Sequence, residues 1–235
     1  MTRALITGIG GQDGSYLAEL LLDQGYAVTG VVKPGAADYE NLEPVRKNVE
    51  LLEADLLDSA SLTHALEAAG PPQEVYNLAA PSFVPASWER PVTTAEFAAV
   101  GATSLLEAIR AVDPAIRFYQ ASSSEIFGEP RESPQTERTP LDPVTPYGVA
   151  KAYAHFIVGS YRRRYGLFAC SGILYNHESP RRPLDFVTCK VAHGAARIAL
   201  GLDDELTLGN LDARRDWGYA PDYVRAMWLL SLIHI

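Results

Sequence analysis

The fold is decided by the stretch ALITGIGGQDG at residues 4–14, an apolar β-branched run followed by closely spaced glycines. Gly8, Gly11 and Gly14 follow a predicted strand, Arg3–Thr7, with the spacing GxxGxxG. Glycines in this place allow a tight turn, a close approach of the backbone to a pyrophosphate, and close packing of the next helix on its strand. A glycine triplet also suits a plain structural turn, but its place at the start of a βαβ unit favours dinucleotide binding.

Outward from this turn, apolar strands alternate with helical periodicities. Further buried parallel strands are predicted at Ala27–Val32, Val49–Glu53, Glu74–Leu78, Arg117–Ser122 and Ala169–Leu174. Helices are predicted at Ser15–Gly25, Ser59–Ala69, Val92–Val112, Pro146–Tyr165 and Ala220–Leu232. This order predicts an α/β fold, a doubly wound parallel sheet of the Rossmann type with helices on both faces.

The pattern also predicts a division into two regions. We expect a dinucleotide-binding domain at residues 1–175 and a smaller substrate-binding region at residues 176–235, interleaved with the first. Proline-rich loops at Glu129–Pro146 and Asn176–Pro183 follow strands and are expected to line the ligand crevice. In the last predicted helix, Val224, Trp228 and Leu232 share an apolar face that needs more chain to cover it. The expectation is therefore that the C-terminal part of the substrate domain is truncated.

Composition narrows the class of protein. The chain has 235 residues and a formal net charge of -9, which argues against a basic nucleic-acid surface but not against a locally bound anionic substrate. Cys170 and Cys189 form no CxxC pair and no histidine cluster accompanies them, so we expect reduced thiols and no metal site. The sequence carries no signal-peptide pattern, and its apolar stretch at residues 227–235 is too short to span a bilayer. These features predict a cytoplasmic protein with no membrane partner.

Residues at the predicted strand ends are candidates for cofactor contacts. Lys33 stands at the end of the second strand, where an NAD enzyme places an acid. A cation there suits a 2′-phosphate and favours NADP, although a solvated loop lysine is the alternative. Asp55-Leu56, after the third strand, can hold the adenine edge, and Leu78-Ala79-Ala80, after the fourth, stands where the cofactor must lie close.

Tyr147 and Lys151 form Tyr-x-x-x-Lys on a predicted helix. Residues four apart share a helix face, so the ammonium is expected to lower the pKa of the phenol from about 10 toward working pH. Tyr147 would then be a general base toward a sugar hydroxyl, and Lys151 can also bind the nicotinamide ribose. The pair is common on ordinary helices, but after the fifth strand of a glycine-turn fold it indicates a dehydrogenase active site.

The fifth strand ends in Gln120-Ala121-Ser122-Ser123-Ser124-Glu125. A serine hydroxyl at a strand end can donate to a substrate oxygen, although turn serines are also common. Glu125 is more informative, because simple hydride transfer does not need a carboxylate. A carboxylate is needed where a C–H proton is removed or water is expelled.

At these residues the chain resembles the GDP-mannose 4,6-dehydratase family, which is of the extended short-chain dehydrogenase type. The resemblance covers residues 3 to about 230 and rests on blocks at residues 4–17, 120–128, 147–151, 176–182 and 209–218. It implies NADP-dependent dehydration of GDP-D-mannose to GDP-4-dehydro-6-deoxy-D-mannose, with hydride passing from C4 to the cofactor and then to C6. It also implies a homo-oligomer, either a dimer or a tetramer.

The resemblance assigns roles to individual residues. Ser123 stands where the family has its catalytic Thr, and Glu125 stands where the family has its catalytic base. Tyr147 and Lys151 stand where the family has its Tyr–Lys dyad. The resemblance also implies four further cofactor contacts, which are Gln12, Asp13, His177 and Arg182. The implied substrate contacts are Ser82, Asn176, Glu178 and Arg215.

Three departures from the family and two rival functions stay open. Lys33-Pro34 stands where the family usually has a pair of arginines. Pro183 stands where it usually has Gly, and Cys189 stands where it usually has Arg. A sugar-nucleotide 4-epimerase or 4-ketoreductase would keep the glycines and the Tyr-x-x-x-Lys pair but would not need Glu125. A non-catalytic NADP-binding sensor could dispense with the pair altogether.

Overall fold

A parallel sheet of six strands forms the centre of the computed structural model, which describes residues 1–36 and 39–233. The strands are β1 Arg3–Thr7, β2 Ala27–Val32, β3 Val49–Glu53, β4 Glu74–Asn77, β5 Arg117–Ala121 and β6 Ala169–Gly172. Their order is β3-β2-β1-β4-β5-β6, which confirms the predicted doubly wound sheet. The last three strands end one or two residues before the predicted positions, because there the chain leaves the ladder to form the crevice loops.

Helices cover both faces of this sheet. They are α1 Gln12–Asp23, α2 Ser59–Ala68, α3 Ala86–Glu89, α4 Pro91–Ala95, α5 Gly101–Val112, α6 Pro146–Tyr165, α7 Val187–Ala199 and α8 Ala220–Leu232. A π-helical turn, Glu96–Val100, joins α4 to α5, and 3-10 turns lie at Glu40–Leu42 and Ser124–Ile126. The predicted start of α1 at Ser15 is wrong: Gly11 caps the helix, so residues 12–14 already belong to its first turn.

Side chains that alternate along the strands divide the core into two halves. On β1, Leu5 faces α2 and α5, whereas Ile6 faces α1 and α8. Both residues are almost completely buried. The first half holds most of the buried leucines of the helices, and the second contains Tyr76 and Tyr119, whose ring centroids are 5.9 Å apart.

The predicted apolar face of α8 is partly wrong. Val224 is buried as expected, but Leu232 is 42% exposed, and Met227 and Ser231 are buried in its place. The Ser231 hydroxyl donates to the buried Glu74 carboxylate at 3.2 Å, so a polar contact with the start of β4 sets the rotation of the helix. Pattern reasoning counted only apolar residues and missed this contact.

The helical run Pro91–Val112 is long and apolar enough, by length and composition alone, to cross a membrane. Half of its most apolar 18-residue stretch is buried in the fold, as in a core helix of a globular domain. It packs against α2 and α6, which accounts for its composition without a bilayer.

Several elements lie where the sequence patterns predicted none, among them two short strands and helix α7. The segment predicted as the loop Asn176–Pro183 begins with a short strand, β7 Asn176–Glu178, which pairs in parallel with β8 Trp217–Tyr219. Helix α7 was not predicted either, although Val187, Val191 and Ile198 recur at helical spacing. These three side chains are 45%, 38% and 39% exposed, and Gly194 is the buried residue of the helix.

Candidate active site

The glycine turn has the geometry that its sequence predicts. Gly8 has φ of 70°, and a Cβ there would lie 2.9 Å from the Ala79 backbone. A Cβ at Gly14 would lie 2.3 Å from the Gly8 carbonyl oxygen. Gly11 starts α1, and no side chain of the described residues caps it. The first turn therefore offers backbone N–H groups to an anion at the carboxyl end of β1.

A buried polar chain crosses the carboxyl ends of β1, β4 and β5. The Thr7 hydroxyl donates to Asn77 Oδ1 at 2.6 Å, and Asn77 Nδ2 donates to Gln120 Oε1 at 2.8 Å. Gln120 Nε2 and Lys151 Nζ both donate to the Ala121 carbonyl oxygen, each at 3.0 Å. Sequence reasoning missed this chain, although polar residues at the ends of buried strands were the available signal. It ties the strand of the glycine turn to the lysine of the predicted dyad.

The dyad itself lies in the interior. Tyr147 and Lys151 are 7% and 5% exposed, and Lys151 Nζ is 5.6 Å from the Tyr147 ring centroid. Burial raises the pKa of Tyr147 to about 12, against the hydrogen bond from Ser123. Burial also lowers the pKa of Lys151 to about 8, against the charge of Asp13. The predicted lowering of the tyrosine pKa is therefore wrong here, because desolvation outweighs the charges around the phenol.

Ser123 and Glu125 meet Tyr147 at the end of β5. Ser123 lowers the pKa of the phenol against the effect of burial, and its Oγ accepts the Glu125 N–H at 3.2 Å. Glu125 is half-buried, and its charge raises the pKa of Tyr147. Gly148 lets α6 approach this turn, since a Cβ there would lie 2.6 Å from the Glu125 carbonyl oxygen. The structure thus brings together the four residues predicted as catalytic.

Asp13 and His177 form a buried ion pair beside the glycine turn. His177 Nε2 donates to Asp13 Oδ2 at 2.8 Å, and Nδ1 donates to the Tyr175 carbonyl oxygen at 2.7 Å. Burial lowers the pKa of His177, but the hydrogen bond and charge of Asp13 outweigh it, so the pKa is raised. Burial raises the pKa of Asp13, but the hydrogen bond and the charge of His177 lower it by more, so the net effect is a lowered pKa. The ring also stacks on Tyr223 with centroids 4.4 Å apart.

Further contacts fasten the segment at residues 176–182 to α1. Gln12 Nε2 donates to the His177 carbonyl oxygen at 3.2 Å, and Gln12 Oε1 accepts from the Ser179 hydroxyl at 2.8 Å. Arg181 pairs with Glu19 at 2.5 Å. The role of Arg181 was missed, because only the folded chain brings it to the helix.

Arg182 points toward the same crevice. Its Nε lies 3.3 Å from a Glu178 carboxylate oxygen but has no hydrogen-bond partner among the described residues. Its guanidinium carbon is 3.6 Å from the Phe186 ring centroid, and its charge lowers the pKa of Asp13 against the effect of burial. Arg182 is thus a half-buried cation whose charge acts on the Asp13 carboxylate beside the glycine turn.

The remaining predicted cofactor residues surround the turn less closely. Lys33 is exposed, with its ammonium 5.7 Å from the Phe97 ring centroid. Leu56 is buried in the core, and the Asp55 carboxylate accepts the Leu57 N–H at 2.9 Å. Their contacts with a cofactor stay predictions.

The predicted substrate residues are spread over the rim of the crevice. Asn176 and Glu178 flank His177 on β7, and Glu178 is already engaged by Arg182. Ser82 and Arg215 are exposed, and Arg215 donates to the carbonyl oxygen of its neighbour Arg214. Their contacts with a substrate also stay predictions.

Comparison with known proteins identifies the family of the chain. Residues 5–232 match the family model described as GDP-mannose 4,6 dehydratase. The chain is 49% identical over 97% of its length to GDP-mannose 4,6-dehydratase of Vibrio cholerae, and 47% identical over 97% of its length to that of Homo sapiens. It spans 64% of the length of each relative.

Among solved structures, the chain is similar to a UDP-glucose 4-epimerase from Thermus thermophilus in complex with NAD. The TM-score is 0.84 and the identity 29%, over 99% of this chain and 75% of that one. The epimerase therefore shares the nucleotide-binding fold at much lower identity than the dehydratases. From the family match and the two dehydratase relatives, the chain belongs to the GDP-mannose 4,6-dehydratase family.

Proposed function

We propose that this protein dehydrates GDP-D-mannose to GDP-4-dehydro-6-deoxy-D-mannose, a hydro-lyase reaction with NADP as a recycled cofactor. The observation that carries the proposal is the meeting of Glu125 with Ser123 and Tyr147 at one strand end. Hydride transfer alone needs the tyrosine and lysine, whereas elimination of water also needs a carboxylate that can take and return a proton.

The glycine turn fits a dinucleotide. A Cβ at Gly8 or Gly14 would meet backbone atoms at the turn where the pyrophosphate would lie. Arg182 and the N-terminus of α1 supply positive charge for that pyrophosphate. Lys33 supports NADP over NAD, because it lies near the end of β2 with no carboxylate in its place. A nicotinamide held there would supply the redox chemistry, as an acceptor for the hydride of C4 and as its donor to C6.

Three residues perform the oxidation step. Tyr147 takes the proton of the 4-hydroxyl, and Ser123 donates a hydrogen bond to the C4 oxygen as charge develops there. Lys151 stabilises the phenolate from the next turn of α6. Burial raises the pKa of Tyr147 to about 12, so the positive charge of Lys151 has to offset this desolvation when the phenolate forms.

Glu125 performs the elimination step. Once C4 is a ketone, the proton on C5 is acidic, and the Glu125 carboxylate removes it. The same group then protonates the departing 6-hydroxyl, so that water leaves and the carboxylate is restored. Return of the hydride at C6 leaves an enolate, and this enolate takes at C5 the proton that Tyr147 received from the 4-hydroxyl, which restores the phenolate. Glu125 is half-buried at the end of β5 and so remains accessible to a bound sugar.

The test is incubation with GDP-mannose and NADP in D₂O, followed by mass spectrometry and NMR of the nucleotide sugar. The proposal predicts loss of one water and entry of deuterium at C5. Tyr147→Phe is the control and should yield neither. A product of unchanged mass with inverted C4 would instead establish a 4-epimerase.

We also propose that the protein is a homo-oligomer. Support comes from one apolar surface formed by α3, α4 and α6, on which Trp88, Val92, Val149 and Tyr153 are 64%, 69%, 54% and 46% exposed. A second copy of the chain would cover such a patch. Sedimentation should show that Val149→Glu dissociates the oligomer, while Leu202→Glu, at an exposed leucine outside this surface, does not. A monomeric unaltered protein would refute the proposal.

A further inference from the structure

Three consecutive residues at the end of β5 lie against one face of α6. The Ala121 carbonyl oxygen accepts from Lys151 Nζ at 3.0 Å, and Ser123 lies close enough to the Tyr147 phenol to lower its pKa against the effect of burial. Between them, Ser122 Oγ lies 3.1 Å from His155 Nδ1. Positions 147, 151 and 155 are four apart and therefore line one helix face. Two of these contacts involve the proposed catalytic lysine and tyrosine, whereas the third has no part in the proposed chemistry.

The Ser122–His155 contact is partly shielded from solvent, and the backbone of Ser122 is fixed in place. Ser122 is buried, and its N–H also donates to the Gly172 carbonyl oxygen at 2.9 Å, which fixes it to β6. Burial and the charge of Arg162 lower the pKa of His155. The imidazole is therefore neutral near pH 7, and its Nδ1 can accept a hydrogen bond from the Ser122 hydroxyl.

We infer that Ser122 and His155 are a positioning pair for the active site. Their hydrogen bond holds the end of β5 against α6, so that the neighbouring Ser123 and Glu125 face Tyr147. A shift of this strand end would lengthen the distance from Ser123 to the phenol without removing any reacting group. The inference rests on the proposed function only for its effect on turnover, since the geometry of the pair is independent of the substrate.

The variants follow from the atoms involved. His155→Ala and Ser122→Ala each remove the hydrogen bond. His155→Asn restores an acceptor at the place of Nδ1, whereas His155→Gln places its acceptor near the position of Nε2. Ser160→Ala is the matched control, because its hydroxyl bonds within α6, to the Phe156 carbonyl oxygen at 3.1 Å, and does not reach β5.

In steady-state assays, His155→Ala and Ser122→Ala should lower kcat by about 10- to 100-fold with little change in KM, the usual effect of a small misplacement of reacting groups. The double variant should lose no more than either single variant, because both remove the same contact. His155→Asn should recover most of kcat, and His155→Gln should not.

A second readout needs no turnover. With ¹³Cζ-labelled tyrosine, the resonance of Tyr147 is assigned by its absence in Tyr147→Phe. It should shift in His155→Ala and Ser122→Ala, return in His155→Asn and stay in place in Ser160→Ala. This measurement separates the two proposals, since it can succeed even where GDP-mannose is not a substrate.

The inference is overturned if the alanine variants lower the melting temperature but leave both kcat and the Tyr147 resonance unchanged. It is also overturned if His155→Asn and His155→Gln behave alike. Should His155→Ala fail to fold, Ser122→Ala and His155→Asn decide the question on the same readouts.

Discussion

His177 Nε2 lies 2.8 Å from the carboxylate of Asp13, which is 164 positions earlier in the chain. The contact joins the first turn of α1 to β7. A carboxylate in this turn suits the helix dipole but repels a phosphate, and the imidazolium of His177 offsets that repulsion. The pair therefore allows an acid to stand beside a phosphate-binding turn.

This pair predicts a pH-dependent stability. The folded-state pKa of His177 is raised above its usual 6.5, so its contribution is full below pH 6.5 and is lost as pH rises through the raised pKa. The pKa of Asp13 is lowered from 3.8, so its contribution is lost on the acid side as pH falls through the lowered pKa. His177→Gln should destabilise the protein by about 1–3 kcal/mol between these limits. Urea denaturation at several pH values measures this difference, and a difference that does not shrink at alkaline pH would contradict the prediction.

Glu125→Gln separates oxidation from elimination. The amide keeps the shape of the side chain but cannot take a proton, so product formation should fall by roughly 10²–10⁴-fold while GDP-mannose still binds. Hydride exchange between C4 and NADP should persist, as followed with C4-deuterated substrate. In Tyr147→Phe that exchange should stop as well. Near-normal release of the 6-deoxy-4-keto product from Glu125→Gln would show that another group removes the C5 proton.

Lys33→Ala tests the cofactor preference. An exposed ammonium beside a 2′-phosphate contributes little, so NADP affinity should fall by about 1 kcal/mol or less, and NAD affinity should not change. Calorimetric titration of both cofactors measures the two affinities. Lys47→Ala removes the same charge from another exposed site and is the control. Tighter binding of NAD than of NADP by the unaltered protein would oppose the proposal.

Gly8→Ala and Gly25→Ala compare two glycines with similar backbone angles, φ of 70° and 78°. Both variants carry the strain of a side chain at positive φ, about 1 kcal/mol. At Gly25 a Cβ meets nothing within 4 Å, whereas at Gly8 it lies 2.9 Å from the Ala79 backbone. Gly8→Ala should therefore be the less stable variant and should also lose cofactor binding. Equal melting temperatures and equal cofactor affinities would contradict this account.

The sheet and the dyad could be predicted from the chain because they depend on local patterns. Buried parallel strands read as continuous apolar runs, and Tyr-x-x-x-Lys places two side chains on one helix face whatever surrounds it. The glycine turn could also be predicted from the sequence, since a positive φ and a close approach of the backbone exclude most residues other than glycine. These features correctly placed β1, β2, β3 and α6 at the residues where the structure has them.

Tertiary structure decided what depends on distant neighbours. The raised pKa of Tyr147 follows from burial, which no spacing of residues shows. The rotation of α8 follows from Ser231 meeting Glu74, and the charge of His177 follows from Asp13. Sequence alone determined which groups stand at the strand ends. Only the folded chain determined their solvation and their partners, because desolvation and electrostatic energies depend on distances in space and not along the chain.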